Sequence, residues 1–395
     1  MNNTCAIFSV KTIRRLNGRY YTDGGFGLYI HEMCRHYSQV VLVCKESSLP
    51  PGAGFYPLFH ERLTVSTVPA WPSELGAILV QPLVLLRGIS AVRAADVVYA
   101  RMPDWTGVSG VVLASLLKRP CVCQVIGDTA ELARTIPPLK AYGLGLPLKA
   151  VLHLYNLLEV IACRNKLVFA QGIRAYYKHR RAREVNLVLS TAHSDKDIAP
   201  PKPRFRSSLF TILAVGRLQH VKNHELLLEA LAVLRKSDKR WNLVIAGDGP
   251  RLQHLQELAY RLRIASAVAF AGRVDRGAAL WDLYDTADVF VLPSLSEGTP
   301  KVILEAMARG CPVVAADVGG VRSAVADRER GLLFRSGDLN DLVHSITEMH
   351  AKAQLREHCQ REANHFAKRH TIERATASIV SRVNAFFAGE TRLAE

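Results

Sequence analysis

The stretch ADVFVLPSLSEGTPKVILEAMARGCPVVAAD, residues 287–317, contains one complete strand–helix–strand unit. An apolar run, DVFVLP, ends at Pro293, and a second apolar run, PVVAAD, closes the stretch. Between the two runs, Thr299 is a suitable N-cap and Pro300 a suitable first residue for a helix that ends at Gly310. Runs that are apolar on both faces are typical of parallel strands buried between helices. The stretch therefore predicts a parallel α/β sheet.

The same alternation of apolar runs and helical patterns extends in both directions along the chain. The pattern is interrupted at residues 192–208, AHSDKDIAPPKPRFRSS, where three prolines and mixed charges indicate a linker. We therefore predict the α/β class with two Rossmann-like domains, an N-terminal domain over 1–200 and a C-terminal domain over 208–375. The last helix, within 376–395, either closes the second domain or crosses back to the first.

Two carboxylates mark the loop and helix of the opening stretch. Glu297 lies on the loop after the strand, and Glu305 lies in the second helical turn beside an apolar face, which is an unusual position for a charge. The N-terminus of a helix can bind phosphate. A carboxylate can accept hydrogen bonds from two neighbouring hydroxyls, as on a ribose or a hexose. These residue types indicate a site for a phosphate-bearing sugar.

A second strand-to-helix junction carries cations. In AVGRLQHVKNHELLLEALAVLRK, residues 214–236, a strand is predicted to end near Val215 and a helix to begin after Asn223 as its N-cap. The loop between them holds Arg217 and Lys222 beside the positive end of the helix dipole. This combination suits a pyrophosphate. The alternative is a pair of solvated loop cations, and this loop alone does not separate the two.

Two glycine-rich turns follow other strands. Gly247 and Gly249 in AGDGP allow a sharp turn, and a structural role is the simpler interpretation. In YYTDGGFGLYIHEM, Gly24 and Gly25 precede a helix that we predict from about Phe26.

The motifs GRLQHVK, AGDGP, SEGTPKVILEAMA and GCPVVAADVGGVRSAV together resemble the family 4 retaining glycosyltransferases of GT-B fold, the glycosyl transferases group 1. The resemblance covers about residues 208–340 and is weak over the first 200 residues. It implies a metal-independent hexosyltransferase without cofactor, which moves a sugar from a UDP- or GDP-sugar to a glycan or lipid-linked acceptor, as in polysaccharide biosynthesis. The alternatives are a catalytically inactive sugar-nucleotide-binding or scaffold protein and a sugar-nucleotide epimerase of similar fold.

The resemblance also implies roles for single residues. Arg217 and Lys222 would hold the donor diphosphate, and Glu305 the ribose hydroxyls. Glu297 would face the hydroxyls of the transferred sugar. The other implied donor-binding positions are Gly24, Gly25, Gly216, the backbone of Gly298, Thr299 and Pro300, and Arg273 near the base.

One departure from the family concerns the N-terminal half. Many members have a histidine after a middle strand, where this chain has VIGDTAEL, residues 125–132. Asp128 is either a catalytic contact to sugar or acceptor, or the N-cap of the next helix. Arg101, at the end of the DVVYAR run, is a further candidate for an anionic group of the acceptor.

Charge is unevenly distributed. Residues 1–207 hold 26 Lys and Arg against 13 Asp and Glu, a net charge of +13, whereas the rest hold 25 against 22, a net +3. This asymmetry predicts an anionic partner for the first half. No nucleic-acid-binding motif is present, so we expect an anionic membrane surface and no nucleic acid. The proposed contact is a basic cluster interleaved with Tyr176 and Tyr177, formed by Arg174, Lys178, Arg180, Arg181 and Arg183.

The eight cysteines stand in apolar contexts without Cys-x-x-Cys spacing, which predicts buried, reduced thiols. No apolar stretch has the length of about 20 residues that a membrane-spanning helix requires. We therefore expect a cytoplasmic protein that is peripheral on the inner face of the membrane.

Overall fold

The computed structural model describes residues 3–51, 55–70, 80–126, 145–205, 208–298 and 300–389. The chain divides into two compact units. The first contains Met1–Ser190 and Glu373–Glu395, and the second contains Thr191–Ile372. All but the first residue of the C-terminal helix (Ile372–Phe387) therefore belongs to the first unit.

The first unit is an α/β structure with nine strands in the described residues. Its strands are β1 (Thr4–Leu16), β2 (Arg19–Asp23), β3 (Gln39–Ser47), β4 (Phe55–Leu58), β5 (Leu63–Pro69), β6 (Val97–Met102), β7 (Cys121–Val125), β8 (Leu167–Gln171) and β9 (Glu184–Val188). Its helices are α1 (Gly24–His36), α2 (Gln81–Ala94), α3 (Trp105–Leu116), α4 (Gly145–Cys163) and α5 (Ile173–Lys178), joined by the C-terminal helix.

Parallel pairing gives this sheet the order β5-β3-β1-β6-β7-β8-β9. The order reverses between β1 and β6, so this is the topological switch point of the sheet. Strand β1 is longer than its neighbours. Its last three residues, Arg14–Leu16, pair antiparallel with β2, and β2 pairs antiparallel with β4. The chain from Lys11 to Asp23, here called the β1–β2 arm, therefore extends beyond the last residue paired with β6, while its residues Thr12–Arg14 still pair in parallel with the end of β3.

The second unit has six parallel strands in the order β12-β11-β10-β13-β14-β15. This is the Rossmann order, and its switch point lies between β10 and β13. The strands are β10 (Phe210–Val215), β11 (Trp241–Ala246), β12 (Val268–Gly272), β13 (Val289–Leu292), β14 (Val313–Ala316) and β15 (Leu332–Phe334). The helices are α6 (His224–Ser237), α7 (Leu252–Arg261), α8 (Ala278–Thr286), α9 (Lys301–Ala308), α10 (Val321–Val325), α11 (Leu339–Ala351) and α12 (Ala353–Arg369), and the C-terminal helix is α13.

Apolar strands account for the core of each unit. Leu243, Ile245 and Val291 are fully buried between helices of the second unit, as Phe8 and Val98 are in the first. Each fully buried side chain of this size contributes about 1.5–3 kcal/mol relative to exposure. The alternating apolar runs therefore specify both sheets.

The proline-rich segment predicted as a linker packs on the second unit. Arg204 is buried, and its guanidinium donates hydrogen bonds to backbone carbonyls of α8 and of the turn after α9. The acceptors include Asp285, Ala287 and Arg309. Residues up to Phe205, whose ring lies edge-to-face against that of Trp241 at a centroid distance of 6.0 Å, are thus held in place. The residues around the three prolines form no helix or strand, as predicted, but they pack against the second unit and do not form a flexible linker.

Two helix starts and the geometry of one N-cap differ from the sequence-based expectation. Helix α1 begins at Gly24, two residues before Phe26. Helix α9 begins at Lys301, so Pro300 is its N-cap and not its first residue. Asn223 is at the N-cap of α6 as predicted, but it is left-handed and its side chain makes no capping hydrogen bond. Helix ends depend on hydrogen-bond geometry that a residue type does not fix.

All eight cysteines are free and buried, as predicted. In the part of the chain that the structure describes, no helix has the length and apolarity needed to cross a membrane.

Candidate functional site

The carboxyl ends of β10 and β13 meet at the switch point of the second sheet, and the loops that follow them are joined there. The backbone N–H of Leu295 donates to the carbonyl of Val221 at 2.8 Å. Lys222 Nζ is 2.5 Å from Glu297 Oε1, and Ser294 Oγ donates to the same oxygen at 2.6 Å. Two of the predicted site residues, which are 75 positions apart in sequence, are therefore in direct contact.

The Glu297 loop is supported from behind by the loop after β14. Gly319 has a φ of +49°, and a Cβ placed on it would lie 1.9 Å from the carbonyl oxygen of Glu297. Only glycine fits so close to another backbone. The GG of the ADVGGV motif therefore shapes the predicted sugar-binding loop.

The Arg217 loop has an equivalent support. A Cβ at Gly247 would lie 1.8 Å from the carbonyl oxygen of Gly216, and the N–H of Leu218 donates to the carbonyl of Asp248 at 2.9 Å. The AGDGP turn thus has the structural role that was the simpler interpretation: it holds the backbone of the Arg217 loop. The Arg217 side chain is exposed, and no ion pair links it to another described residue.

Helix α6 follows that loop. His224 at its first position is buried, and burial together with the nearby Lys222 lowers the pKa of His224 to about 4. The imidazole is therefore neutral at physiological pH. The positive charges of the loop are those of Arg217 and Lys222, which is the arrangement that suits a diphosphate.

Glu305 is buried in α9 with 6% of its surface exposed. Burial raises the pKa of its carboxyl group, against the opposing effects of Arg276 and of a hydrogen bond from Tyr284. The Tyr284 hydroxyl donates to Glu305 Oε2 at 3.2 Å. The N-terminus of α9 has no side-chain cap among the described residues, so its first-turn N–H groups can receive an anionic group.

Sequence reasoning missed two residues around Glu305. Arg276 forms an ion pair with Asp197, and its guanidinium lies 5.2 Å from the centre of the Trp281 ring. Tyr284 is the hydrogen-bond donor to the carboxylate. Trp281 and Tyr284 are three residues apart in α8, a spacing that is typical of one buried helix face. No sequence pattern predicts that this face contacts Glu305.

Among the described residues, the remaining predicted donor-binding positions lie on more than one loop. Arg273 is exposed after β12 and pairs with Asp275 at 3.2 Å, so the structure does not bring it to the Lys222–Glu297 pair. Gly298 is exposed and open on its Cβ side. Thr299 and Asp128 lie outside the described residues.

In the first unit, Gly24 and Gly25 form the first turn of α1. Arg101, at the end of β6, is buried beside that helix. Its guanidinium donates to Gln124 Oε1 at 3.1 Å and lies 4.5 Å from the centre of the Tyr29 ring. The cation is thus fixed at the switch point of the first sheet.

Residues 195–366 match the family described as Glycosyl transferases group 1. D-inositol 3-phosphate glycosyltransferase 2 of Catenulispora acidiphila is 39% identical over 184 residues, which are 43% of each chain. An uncharacterized glycosyltransferase of Haemophilus influenzae is 30% identical over 190 residues, 48% of this chain and 52% of that protein. The chain thus spans about half the length of these curated relatives.

Solved structures resemble the whole chain. Sucrose-phosphate synthase from Thermosynechococcus elongatus has a TM-score of 0.71 at 17% identity, covering 98% of this chain and all of that one. Anabaena HepE, solved in complex with UDP, has a TM-score of 0.69 at 17% identity, covering 97% of this chain and all of that one. This likeness shows the fold, and the predicted α/β GT-B fold is confirmed.

Proposed function

We propose that this protein is a glycosyltransferase that moves a hexose-type sugar from a UDP- or GDP-sugar to a glycan or lipid-linked acceptor, with retention of configuration. The observation that carries the proposal is the contact between Lys222 and Glu297 at the switch point of the second sheet. Support comes from the match to Glycosyl transferases group 1, which includes both residues and Glu305. Anabaena HepE, a protein of similar fold, was solved in complex with UDP and with UDP-glucose, which adds support for a nucleotide-sugar donor.

In the proposed donor complex, Arg217 and Lys222 bind the diphosphate. Lys222 then lies between the diphosphate and Glu297, which positions the sugar by accepting hydrogen bonds from its hydroxyls. Glu305 accepts hydrogen bonds from the ribose hydroxyls, and Arg273 lies towards the base. Gly216, Gly298, Thr299 and Pro300 contribute backbone.

The proposed reaction needs no metal or cofactor from the protein. The acceptor hydroxyl attacks the anomeric carbon on the face that the nucleotide leaves, and the departing diphosphate accepts the proton of that hydroxyl. Arg217, Lys222 and the N-terminus of α9 stabilise the charge that develops on the diphosphate. Gly24, Gly25 and Asp128 are the proposed contributions of the N-terminal half to the reacting groups.

The experiment that tests donor binding is calorimetry with UDP, GDP, UMP and uridine. Arg217 is the cleaner target, because removing Lys222 also leaves Glu297 without its cation. Arg217→Ala should weaken diphosphate binding about tenfold or more, since a charge-assisted hydrogen bond contributes about 1.5–3 kcal/mol, and should leave uridine binding unchanged. Arg361→Ala, an exposed position on α12, is the matched control. If the wild-type protein binds neither diphosphate, the proposed function is wrong.

We also propose contact with an anionic membrane through the basic segment of the first unit. The contact requires exposed side chains, and those exposed there are Arg174, Tyr177, Arg180, Arg181 and Arg183. Lys178 is different, because its ammonium lies 2.9 Å from the fully buried carboxylate of Glu159. Lys178 is therefore part of the folded structure and is left out of the proposed contact.

A further inference from the structure

The β1–β2 arm is a cationic structured element that continues from the central strand of the first sheet. From Lys11 to Asp23 the arm has four cations, Lys11, Arg14, Arg15 and Arg19, and one carboxylate, Asp23 at its end. Arginine in particular suits phosphate, because its planar guanidinium can donate two parallel hydrogen bonds. The arm contributes to no step of the reaction described above.

The arm is an ordered β-hairpin. Its strands are joined by Asn17 and Gly18, both with positive φ, which is the geometry of a tight hairpin turn. Strand β4 covers the other side of β2 and fastens the arm to α1. The Tyr56 side chain of β4 lies where a Cβ on Gly27 would meet it at 2.5 Å, and the Tyr56 hydroxyl is 3.1 Å from His31 Nδ1.

The pairing register shows which arginine shares the α1 side of the arm. Thr22 is opposite Tyr56, so both side chains lie on the face that packs against α1. Tyr20 is two residues before Thr22 and therefore on the same face, and Arg15 is opposite Tyr20. The Arg15 guanidinium lies over the Tyr20 ring at 5.5 Å. Arg19 is opposite Leu16 and so lies on the other face.

The place of the arm links it to the acceptor. It leaves the sheet from β1, one of the two strands at the switch point, and ends at Gly24, where α1 begins. Ligands of open α/β sheets bind outside the carboxyl ends of strands at such a point. The buried Arg101 is the penultimate residue of β6, the other strand of the pair. Arg15 is exposed and forms no ion pair within the described residues.

We propose that the arm recognises a phosphate group on the acceptor through Arg15, so that the acceptor is a phosphorylated sugar or a sugar carried on a lipid phosphate. This inference rests on the proposed function, because it names the acceptor class of the same enzyme. Arg15 binds the phosphate at a distance from the reacting hydroxyl. It therefore contributes to acceptor affinity and not to the chemical step.

The test uses the 395-residue chain saturated with whichever of UDP and GDP it binds. Four probes are added in turn: a short-chain polyprenyl diphosphate in detergent, the matching polyprenol, myo-inositol 1-phosphate and myo-inositol. Calorimetry should show that at least one phosphorylated probe binds about tenfold or more tightly than its unphosphorylated counterpart. The pair that shows the difference identifies the source of the phosphate. Arg15→Gln should remove the difference, whereas Arg19→Gln, with the same loss of charge on the opposite face, should keep it.

The inference and the proposed function fail in different ways. Failure of the wild-type protein to bind either UDP or GDP contradicts the proposed function. Normal UDP binding with equal affinity for phosphorylated and unphosphorylated probes overturns the phosphate assignment. Equal effects of Arg15→Gln and Arg19→Gln would indicate a non-specific charge effect and would also overturn the phosphate assignment. The same holds if the protein binds phosphatidylglycerol vesicles through the arm and does not bind the probes.

Discussion

At the scale of single residues, the proposed role of Glu305 as a hydrogen-bond acceptor for the donor conflicts with the burial of its carboxylate. Its carboxylate is buried among apolar side chains of α9 and receives one hydrogen bond from Tyr284. Burial raises the pKa of the group, which means that the charged form is less stable in the folded protein than in the unfolded chain. A residue placed to accept hydrogen bonds from a ligand therefore costs stability while the ligand is absent.

This cost predicts a stability effect that depends on pH. Wild-type stability relative to Glu305→Gln is greatest below the ordinary glutamate pKa of 4.5 and falls as the pH rises through the raised pKa of the folded state. The variant should therefore be the more stable protein near neutral pH, by about 1.4 kcal/mol for each pH unit by which the pKa is raised. Urea unfolding of both proteins between about pH 4.5 and pH 8 measures the difference. A variant that is less stable than wild type at neutral pH would contradict the burial argument.

The two glutamates should differ in kinetics. Glu305 is proposed to hold the ribose, which is the same before and during the reaction, so Glu305→Gln should raise the donor KM with a smaller change in kcat. Glu297 is proposed to hold the sugar, whose charge and shape change as the bond breaks. Glu297→Gln should lower kcat tenfold or more, about 1.4 kcal/mol for each factor of ten, and keep UDP binding. Steady-state rates with the donor varied test both, and full turnover in Glu297→Gln would exclude its catalytic role.

At the scale of elements, the strands were predictable and the contacts between loops were not. The run DVFVLP and the residues that follow it predict a strand, a loop and a helix in the right order, because apolar periodicity is a local property. The pairing of Lys222 with Glu297 depends on the spatial order of β10 and β13, which local pattern does not contain. The register of β1 and β2, which separates Arg15 from Arg19, is likewise set by pairing.

The contact between the loop after β14 and the Glu297 loop can be tested by substitution. Gly319→Ala places a methyl group against the Glu297 carbonyl, so we expect a loss of about 2 kcal/mol or more in stability and a fall in turnover. Gly337→Ala is the matched control, because Gly337 also has a positive φ, +80°, but nothing lies within 4 Å of its Cβ position. Urea unfolding and UDP release should separate the two. Equal effects would show that backbone strain alone matters and that the loop contact does not.

The basic segment gives a second element-level prediction. Replacing Arg174, Arg180 and Arg181 with Gln should weaken binding to anionic vesicles by about 1 kcal/mol for each charge near the surface. Lys178→Gln should instead lower protein stability, because it leaves the buried carboxylate of Glu159 with one donor fewer. Vesicle sedimentation and thermal unfolding measure these effects. Unchanged sedimentation of the triple variant would remove the membrane role from this segment.

At the scale of the whole molecule, the residues proposed to bind the donor lie in one of the two units. The family match at residues 195–366 lies within the second unit, which contains Lys222, Glu297 and Glu305. The first unit carries the cationic arm and most of the net charge, and it includes the C-terminal helix, where Arg382 pairs with Glu184. This division predicts that the donor stabilises one unit in particular.

Hydrogen exchange of the full-length protein with and without UDP tests this division. A ligand that binds only the native state at about 100 times its Kd stabilises that state by about 2.7 kcal/mol, which slows exchange through ligand-releasing openings about 100-fold. Amides of β10, β13 and α9 should gain this protection, because opening of any of these elements separates Lys222, Glu297 or Glu305 from the donor. Amides of β3 and β7, in the first unit, exchange through openings that leave these three residues in place, so their rates should stay the same. Protection confined to the first unit would show that UDP binds there and not at the second unit. The Lys222–Glu297 contact would then be a structural ion pair only.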